Sequence, residues 1–204
     1  MTMFLKFVKY YLTKYQNPMN DNSFYNKDEI RKLGLKSVGE NVLISRKASI
    51  YNPEQISIGN NVRIDDFCIL SGNITIENHV HISAYVALYG KGGIVIKDFS
   101  GISARTTVYS LTDDFAGENL IGVMVPDELR NIIYGTVTIE KYCYVGAHCL
   151  IFPHVTLNEG SVIGAMSLVN KPTESWSVYV GIPARKIKNR NKEKVLNLLN
   201  QKNE

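Results

Sequence analysis

The sequence predicts an all-β solenoid, a prism of short parallel strands stacked coil upon coil, and three observations predict it. An aliphatic side chain returns every six residues, at Ile58, Ile64, Leu70, Ile76, Ile82 and Leu88. After a slip of two it resumes at Ile96, Ile102 and Val108, and after a long break at Ile139, Val145, Ile151, Leu157, Ile163 and Val169. A small or β-branched residue stands two positions before each, among them Ile56, Val62, Cys68, Ile74, Val80, Ser100, Thr106, Cys143, Cys149, Ser161 and Ser167; side chains two apart on an extended segment share a face. Polar residues such as Asp65, Asp66, Asn78, Asp98 and Lys141 fall between the pairs, where a corner would expose them. A helix would space its apolar residues by three and four, and a free strand would alternate without a regular break. A unit this short cannot bury its own apolar face and must stack on its neighbours. Three units close a triangular coil of about 18 residues, with coils about 4.8 Å apart, and the count gives about five coils.

The remaining elements follow in chain order. Residues 1–40 precede the beat and read as helical. Met3 to Tyr15 carries Phe4, Phe7, Val8, Tyr11 and Leu12 at helical spacing between lysines, which suits packing on the solenoid or another subunit, with docking on a membrane surface as the alternative. Asn26 ahead of Asp28 and Glu29 caps a second short helix ending at Gly34. The solenoid domain spans 41–187 and contains an inserted loop, 109–136, thrown outward from a corner as solenoid insertions are. Loops of this length are commonly functional, and apolar residues such as Phe115, Leu120, Val123 and Ile132 require a surface to pack on, such as an adjacent subunit. After Val169 the beat dissolves. Residues 188–204 form a terminal helix, roughly Asn191 to Gln201, capping the last coil.

Composition narrows the function. The net charge of +4 is too small and scattered for nucleic acid; the local cluster from Arg185 to Lys194 suits a phosphate-bearing small ligand or a solvated helix. Cys68, Cys143 and Cys149 all fall on the small inward beat, as core residues of a protein in a reducing compartment. The chain carries no apolar run of membrane-spanning length and no signal-peptide pattern, so the expected location is cytoplasmic.

His148 is the strongest candidate for chemistry. It follows Gly146 and Ala147 at a corner, so its ring points away from the packed interior with room for a substrate. Imidazole titrates near neutrality and can accept a proton from an amine or hydroxyl. Cys149 lies on the inward beat, so the two side chains diverge and no Cys–His nucleophile forms. A zinc site of the γ-carbonic anhydrase type requires three histidines; His79, His81, His148 and His154 do not have that spacing, and no metal is expected.

The run Tyr144 to Pro153, the later Val162 to Val169, and the closing Gly181, Ile182, Pro183, Ala184, Arg185 resemble the hexapeptide-repeat acetyltransferases, including galactoside and maltose O-acetyltransferases. The resemblance implies a left-handed parallel β-helix, against the right-handed crossover rule. It implies acetyl-CoA as co-substrate and His148 as catalytic base. It further implies Gly164 and Ala165 as backbone donors near the thioester, Lys171, Arg185 and Lys186 near the CoA phosphates, and Tyr109, Asp113 and Asp114 near the acceptor. The loop Tyr109 to Glu118 and Trp176 are similar to enzymes of bacterial surface-polysaccharide (O-antigen, lipopolysaccharide) biosynthesis. That implies N-acetylation of a nucleotide-linked amino sugar such as dTDP-4-amino-4,6-dideoxyglucose, or O-acetylation of a sugar hydroxyl, by a homotrimer with sites between coils. A solenoid scaffold without catalysis is the reading from another class.

Overall fold

The computed structural model describes residues 23–200; the helix expected at Met3 to Tyr15 lies outside them. Helix α1, Lys27–Lys32, is opened by a reciprocal capping box: the Asn26 side chain accepts from Glu29 N, and Glu29 accepts from Asn26 N.

From Ser37 onward the chain winds a parallel β-solenoid with three faces. One face stacks Ser37–Val38, Ile56–Ile58, the second half of the long strand Ile69–Ile76, that of Ala87–Ile96, Val137–Ile139 and Thr156–Leu157. The next stacks Leu43–Ile44, Arg63–Ile64, His81–Ile82, Gly101–Ile102, Tyr144–Val145, Val162–Ile163 and Ser177–Gly181. The third stacks Ser49–Tyr51, the first halves of the two long strands, Thr107–Tyr109, Leu150–Ile151 and Leu168–Val169. The second face therefore has seven parallel layers, against the five coils expected. The extra turns were hidden by broken spacing. Val38, Ile44 and Ile50 already keep the six-residue beat, but a 3-10 turn at Pro53–Gln55 delays the next residue to Ile58.

The inward aliphatic residues are almost wholly buried, Ile64, Leu70, Ile82, Leu88, Ile96 and Ile163 at 0% exposure, each burial contributing about 1.5–3 kcal/mol. The small partners are polar without penalty because corner carbonyls accept from them: Ser100 donates to Glu140 O, Thr106 to Gly146 O, Cys143 to Asn158 O and Cys149 to Gly164 O. Burial pushes the Cys143 thiol up to about 12 and the Cys68 thiol up to about 11, so both are inert.

The corners are turned by residues in the left-handed region. Asn61, His79, Phe99 and Tyr142 stand on one edge, and Phe67, Tyr85, Arg105, His148 and Met166 on another. Each such non-glycine residue costs roughly 1–2 kcal/mol. Stacking along the edges offsets part of that: His79 on Phe99 at 4.6 Å, Phe99 on Tyr142 at 5.7 Å, Phe67 on Tyr85 at 4.9 Å. At the C-terminal end, Ser177–Gly181 turns back into Ala184–Asn189, which is antiparallel to it. Arg190 then donates to Tyr142 O at 2.6 Å and Gly160 O at 2.9 Å. Helix α2, Lys192–Asn200, follows. No helix among the described residues is long and apolar enough to cross a membrane.

The insertion has structure of its own. Leu111–Asp113 and Ile132–Tyr134 pair as an antiparallel ribbon. Its base is fixed by buried Ser110, which accepts from Gly92 N and donates to Tyr89 O.

Candidate active site

The third face ends at an edge where Tyr89 and Tyr109 stack with ring centroids 5.3 Å apart. The ribbon folds over this edge and encloses a cavity of about 430 Å³ between Tyr89, Tyr109, Asp113, Arg130 and Phe152. Asp113 and Arg130 are brought there by the antiparallel pairing, which sets Asp113 opposite Ile132, two residues beyond Arg130. The Arg130 side chain is only 11% exposed, and its Nη2 stands 3.5 Å from Asp113 Oδ1. Yet Asp113 Oδ1 and Arg130 Nε are both buried without a hydrogen-bond partner. Each such unmet group costs about 1–3 kcal/mol, and Asp113 and Arg130 are the charged residues in a cavity otherwise lined mainly by aromatic and aliphatic side chains.

Of the acceptor-side residues expected from the sequence, Tyr109 and Asp113 meet in this cavity. Asp114 does not line it. Its carboxylate accepts from Ala116 N at 2.9 Å and Asn131 Nδ2 at 3.1 Å, so it shapes the ribbon.

The three expected phosphate ligands also come together. Lys171, Arg185 and Lys186 line a second cavity, about 330 Å³, with Asn170 and Tyr179. Because Phe152 N bonds to Val169 O, this cavity lies along the same edge, one coil beyond the first. Lys186 is paired with Glu174 at 2.6 Å, leaving Lys171 and Arg185 as the cations open to an anion. Gly164 cannot serve as the expected donor to a thioester, since its N–H is taken by Tyr179 O at 2.8 Å. Exposed Ala165 beside it carries the remaining candidate N–H.

His148 stands apart. Its side chain is exposed at a left-handed corner, φ +57°, with its backbone N bonded to Ala104 O. Cys149 beside it is buried, and burial raises its thiol pKa. The strand Leu150–Ile151 separates His148 from Phe152, a span of about 13 Å at 3.3 Å per residue. Within one chain, imidazole and cavity thus lie on different edges. Of the other histidines, His79 stacks on Phe99 and His81 pairs with Asp65 at 2.8 Å, while His154 is exposed next to the cavity wall Pro153, with its ring against Gly135.

Residues 55–90 match the family model described as bacterial transferase hexapeptide (six repeats). A dTDP-4-amino-4,6-dideoxy-D-glucose acyltransferase from Escherichia coli is 45% identical over 168 residues, 81% of this chain and 88% of that relative. The chain belongs to the hexapeptide-repeat acyltransferase family. The structure of AntD, an N-acyltransferase from Bacillus cereus in complex with dTDP and 3-hydroxybutyryl-CoA, is 54% identical to this acyltransferase, with TM-score 0.85, covering 88% of this chain and 97% of that one. An AntD variant in complex with dTDP-4-amino-4,6-dideoxyglucose and coenzyme A superposes with TM-score 0.86 at 52% identity, covering 89% and 97%.

Sequence reasoning missed Tyr89, Arg130 and Phe152 as cavity walls. Tyr89 and Phe152 were readable, since each directly follows an inward aliphatic residue of the third face, Leu88 and Ile151, and so points outward. Arg130 carried no signal, because nothing in the beat reports how the insertion pairs with itself.

Proposed function

We propose that this acyltransferase moves an acyl group from acyl-CoA to the amino group of a dTDP-linked 4-amino-4,6-dideoxyglucose. One observation carries the reading: Asp113, whose buried Oδ1 has Arg130 at 3.5 Å but no hydrogen bond, lines an apolar, largely aromatic cavity of sugar size. An ammonium supplies the missing donors and a charge-assisted contact beside Arg130 there, while a neutral hydroxyl would match the carboxylate less well. The CoA-bound and dTDP-bound relatives support the same donor and acceptor classes.

In this mechanism Tyr109 and Asp113 hold the acceptor as an ammonium, one proton is lost to solvent to free the nitrogen lone pair, and His148 takes a second from the attacking amine. The nitrogen attacks the thioester carbon, the C–N bond forms as the C–S bond breaks, and the proton passes on to the CoA thiolate. Ala165 N–H faces the developing oxyanion, and Lys171 and Arg185 hold CoA phosphates. Since a whole face separates His148 from the cavity of its own chain, the imidazole comes from a neighbouring copy. The resemblance to the hexapeptide-repeat acetyltransferases makes the working form a cyclic homotrimer with sites between subunits. The exposed apolar tip of the insertion, Val123 at 83% and Met124 at 92%, supplies surface for that contact. The three buried thiols suit a cytoplasmic enzyme, and the amino-sugar acceptor suits surface-polysaccharide biosynthesis.

The test is thiol release from acetyl-CoA and 3-hydroxybutyryl-CoA with the dTDP-amino sugar, free amino sugars and neutral nucleotide sugars. Turnover is expected only with the dTDP-amino sugar; equal turnover of neutral sugars would refute N-transfer.

A further inference from the structure

The slip of two residues between Leu88 and Ile96 acquires a meaning in the structure. In the preceding coil a single residue, Asn73, separates Gly72 from Ile74. In this coil, whose Gly90 and Ile94 pair with them, three residues intervene. The surplus forms an arch, Lys91-Gly92-Gly93, over the base of the insertion. Gly92 is required there, since a Cβ would overlap Ser110 O, and Gly93 has φ +97°. The arch pushes Lys91 outward, its ammonium 5.7 Å from the centroid of the Tyr134 ring and in none of the ion pairs among the described residues.

Lys91 lines a cavity of about 500 Å³ with Arg130, Asp127 and Tyr134. Leu111, Val123, Arg130 and Ile132 wall both this cavity and the Asp113 cavity, so the two are neighbours across the ribbon. One side is apolar, largely aromatic, with the Asp113 carboxylate; the other presents two cations, Lys91 and Arg130, with the exposed Asp127 beside them. Arg130 joins the two sides. Its Nη1 is 3.6 Å from Asp127, which is 96% exposed, and its Nη2 is 3.5 Å from Asp113; both contacts are too long for hydrogen bonds. Its buried Nε has no acceptor at all. A guanidinium with charge partners but unsatisfied donors is suited to an oxygen-rich anion.

We propose that the Lys91–Arg130 cavity holds the diphosphate of the acceptor, with the amino sugar extending past Arg130 to Asp113. This rests on the nucleotide-sugar reading above and adds the site and direction of its charged half. The separation of charge fits the ligand: phosphates at the two cations, ammonium at the carboxylate.

The test compares wild type, Lys91→Ala and Lys91→Arg as full-length enzymes. It uses the acceptor KM, the acyl-CoA KM, and inhibition by dTDP and by thymidine. Lys91→Ala is expected to raise the acceptor KM and the dTDP inhibition constant about tenfold, leaving thymidine inhibition and the acyl-CoA KM unaltered; Lys91→Arg recovers most of the loss. An effect on the acyl-CoA KM instead would reassign these cations to the donor and overturn the proposal. Normal wild-type turnover with an unaltered acceptor KM in Lys91→Ala would overturn this subsite alone. Absence of both dTDP inhibition and dTDP-amino-sugar turnover in wild type would overturn the functional reading and this one with it.

Discussion

If the imidazole and the acceptor carboxylate come from different copies, two inactive variants should restore one another. Replacing His148 by Ala removes the proposed general base, and such groups contribute about 10²–10⁴ in rate, or about 3–5 kcal/mol of barrier. Replacing Asp113 by Asn removes a charge-assisted contact to the ammonium worth about 1.5–3 kcal/mol, roughly 10–100-fold in acceptor affinity. Neither change disturbs the core: His148 is exposed at its corner, and Asp113 Oδ1 has no hydrogen bond to lose, only its 3.5 Å ion pair with Arg130 in the ribbon. The span of about 13 Å along Leu150–Ile151 exceeds what an imidazole can reach, so the groups meet only across an interface. When equal amounts of the two variants are dissociated and reassembled, about a quarter of the interfaces in a cyclic trimer should pair an intact His148 with an intact Asp113. The mixture, assayed for thiol release at low acceptor concentration, should approach a quarter of wild-type activity. A mixture no more active than the average of its parents would refute a shared site. Retention of more than about a tenth of wild-type kcat by His148→Ala alone would remove the imidazole from the mechanism.

Other consequences concern the scaffold. Gly160 holds φ +71°, and the Trp176 indole lies where its Cβ would be; Gly160→Ala should cost about 1–3 kcal/mol and lower Tm by roughly 2–10 °C, and an unchanged melting curve would contradict the packing. Burial raises the Asp98 carboxyl, but bonds from Asn78 and the Lys141 ammonium outweigh it, and the net pKa lies below the usual value. Its stabilisation is therefore complete above the unfolded pKa, about 3.9, and is lost as pH falls through the lower folded value. Chemical denaturation should show Asp98→Asn flattening the loss of stability below about pH 4; parallel wild-type and variant profiles would refute it. All three cysteines are buried and free, so a thiol reagent should label them rapidly only after unfolding. Fast labelling of the native enzyme would indicate a looser core.

The prism was legible because its determinant is local and repeated: Ile58 to Leu88 and Ile139 to Val169 place one aliphatic side chain on each successive face, and all are buried. Small inward residues such as Cys143, Thr106 and Ser161 could be assigned to the core before any partner was known, since spacing alone aims them inward. Coil number was less legible, because the 3-10 turn at Pro53–Gln55 shifts phase without disturbing the stack. The charged candidates near the C-terminus were legible as a group. Lys171 and Arg185 are 14 positions apart in the sequence yet line one cavity, because the hairpin of Ser177–Gly181 and Ala184–Asn189 folds back on the last coil.

What remained hidden lies where the beat fails, and the failures are themselves informative. A solenoid returns to the same edge once per coil, so interruptions separated by one coil length are neighbours in space. The arch at Lys91 and the insertion beginning after Tyr109 are such a pair, for Tyr89 and Tyr109 are in register. The next coil returns to the same edge at Phe152, and the one after it at Asn170. Both cavities around the ribbon, and the cationic cavity beyond, therefore belong to a single edge of the prism. Reading the breaks by coil length rather than by sequence distance would have placed Lys91 beside the insertion from the sequence alone. It would not have found Arg130, whose position depends on the ribbon's antiparallel register, Asp113 against Ile132, a pairing outside the periodicity that specifies everything else.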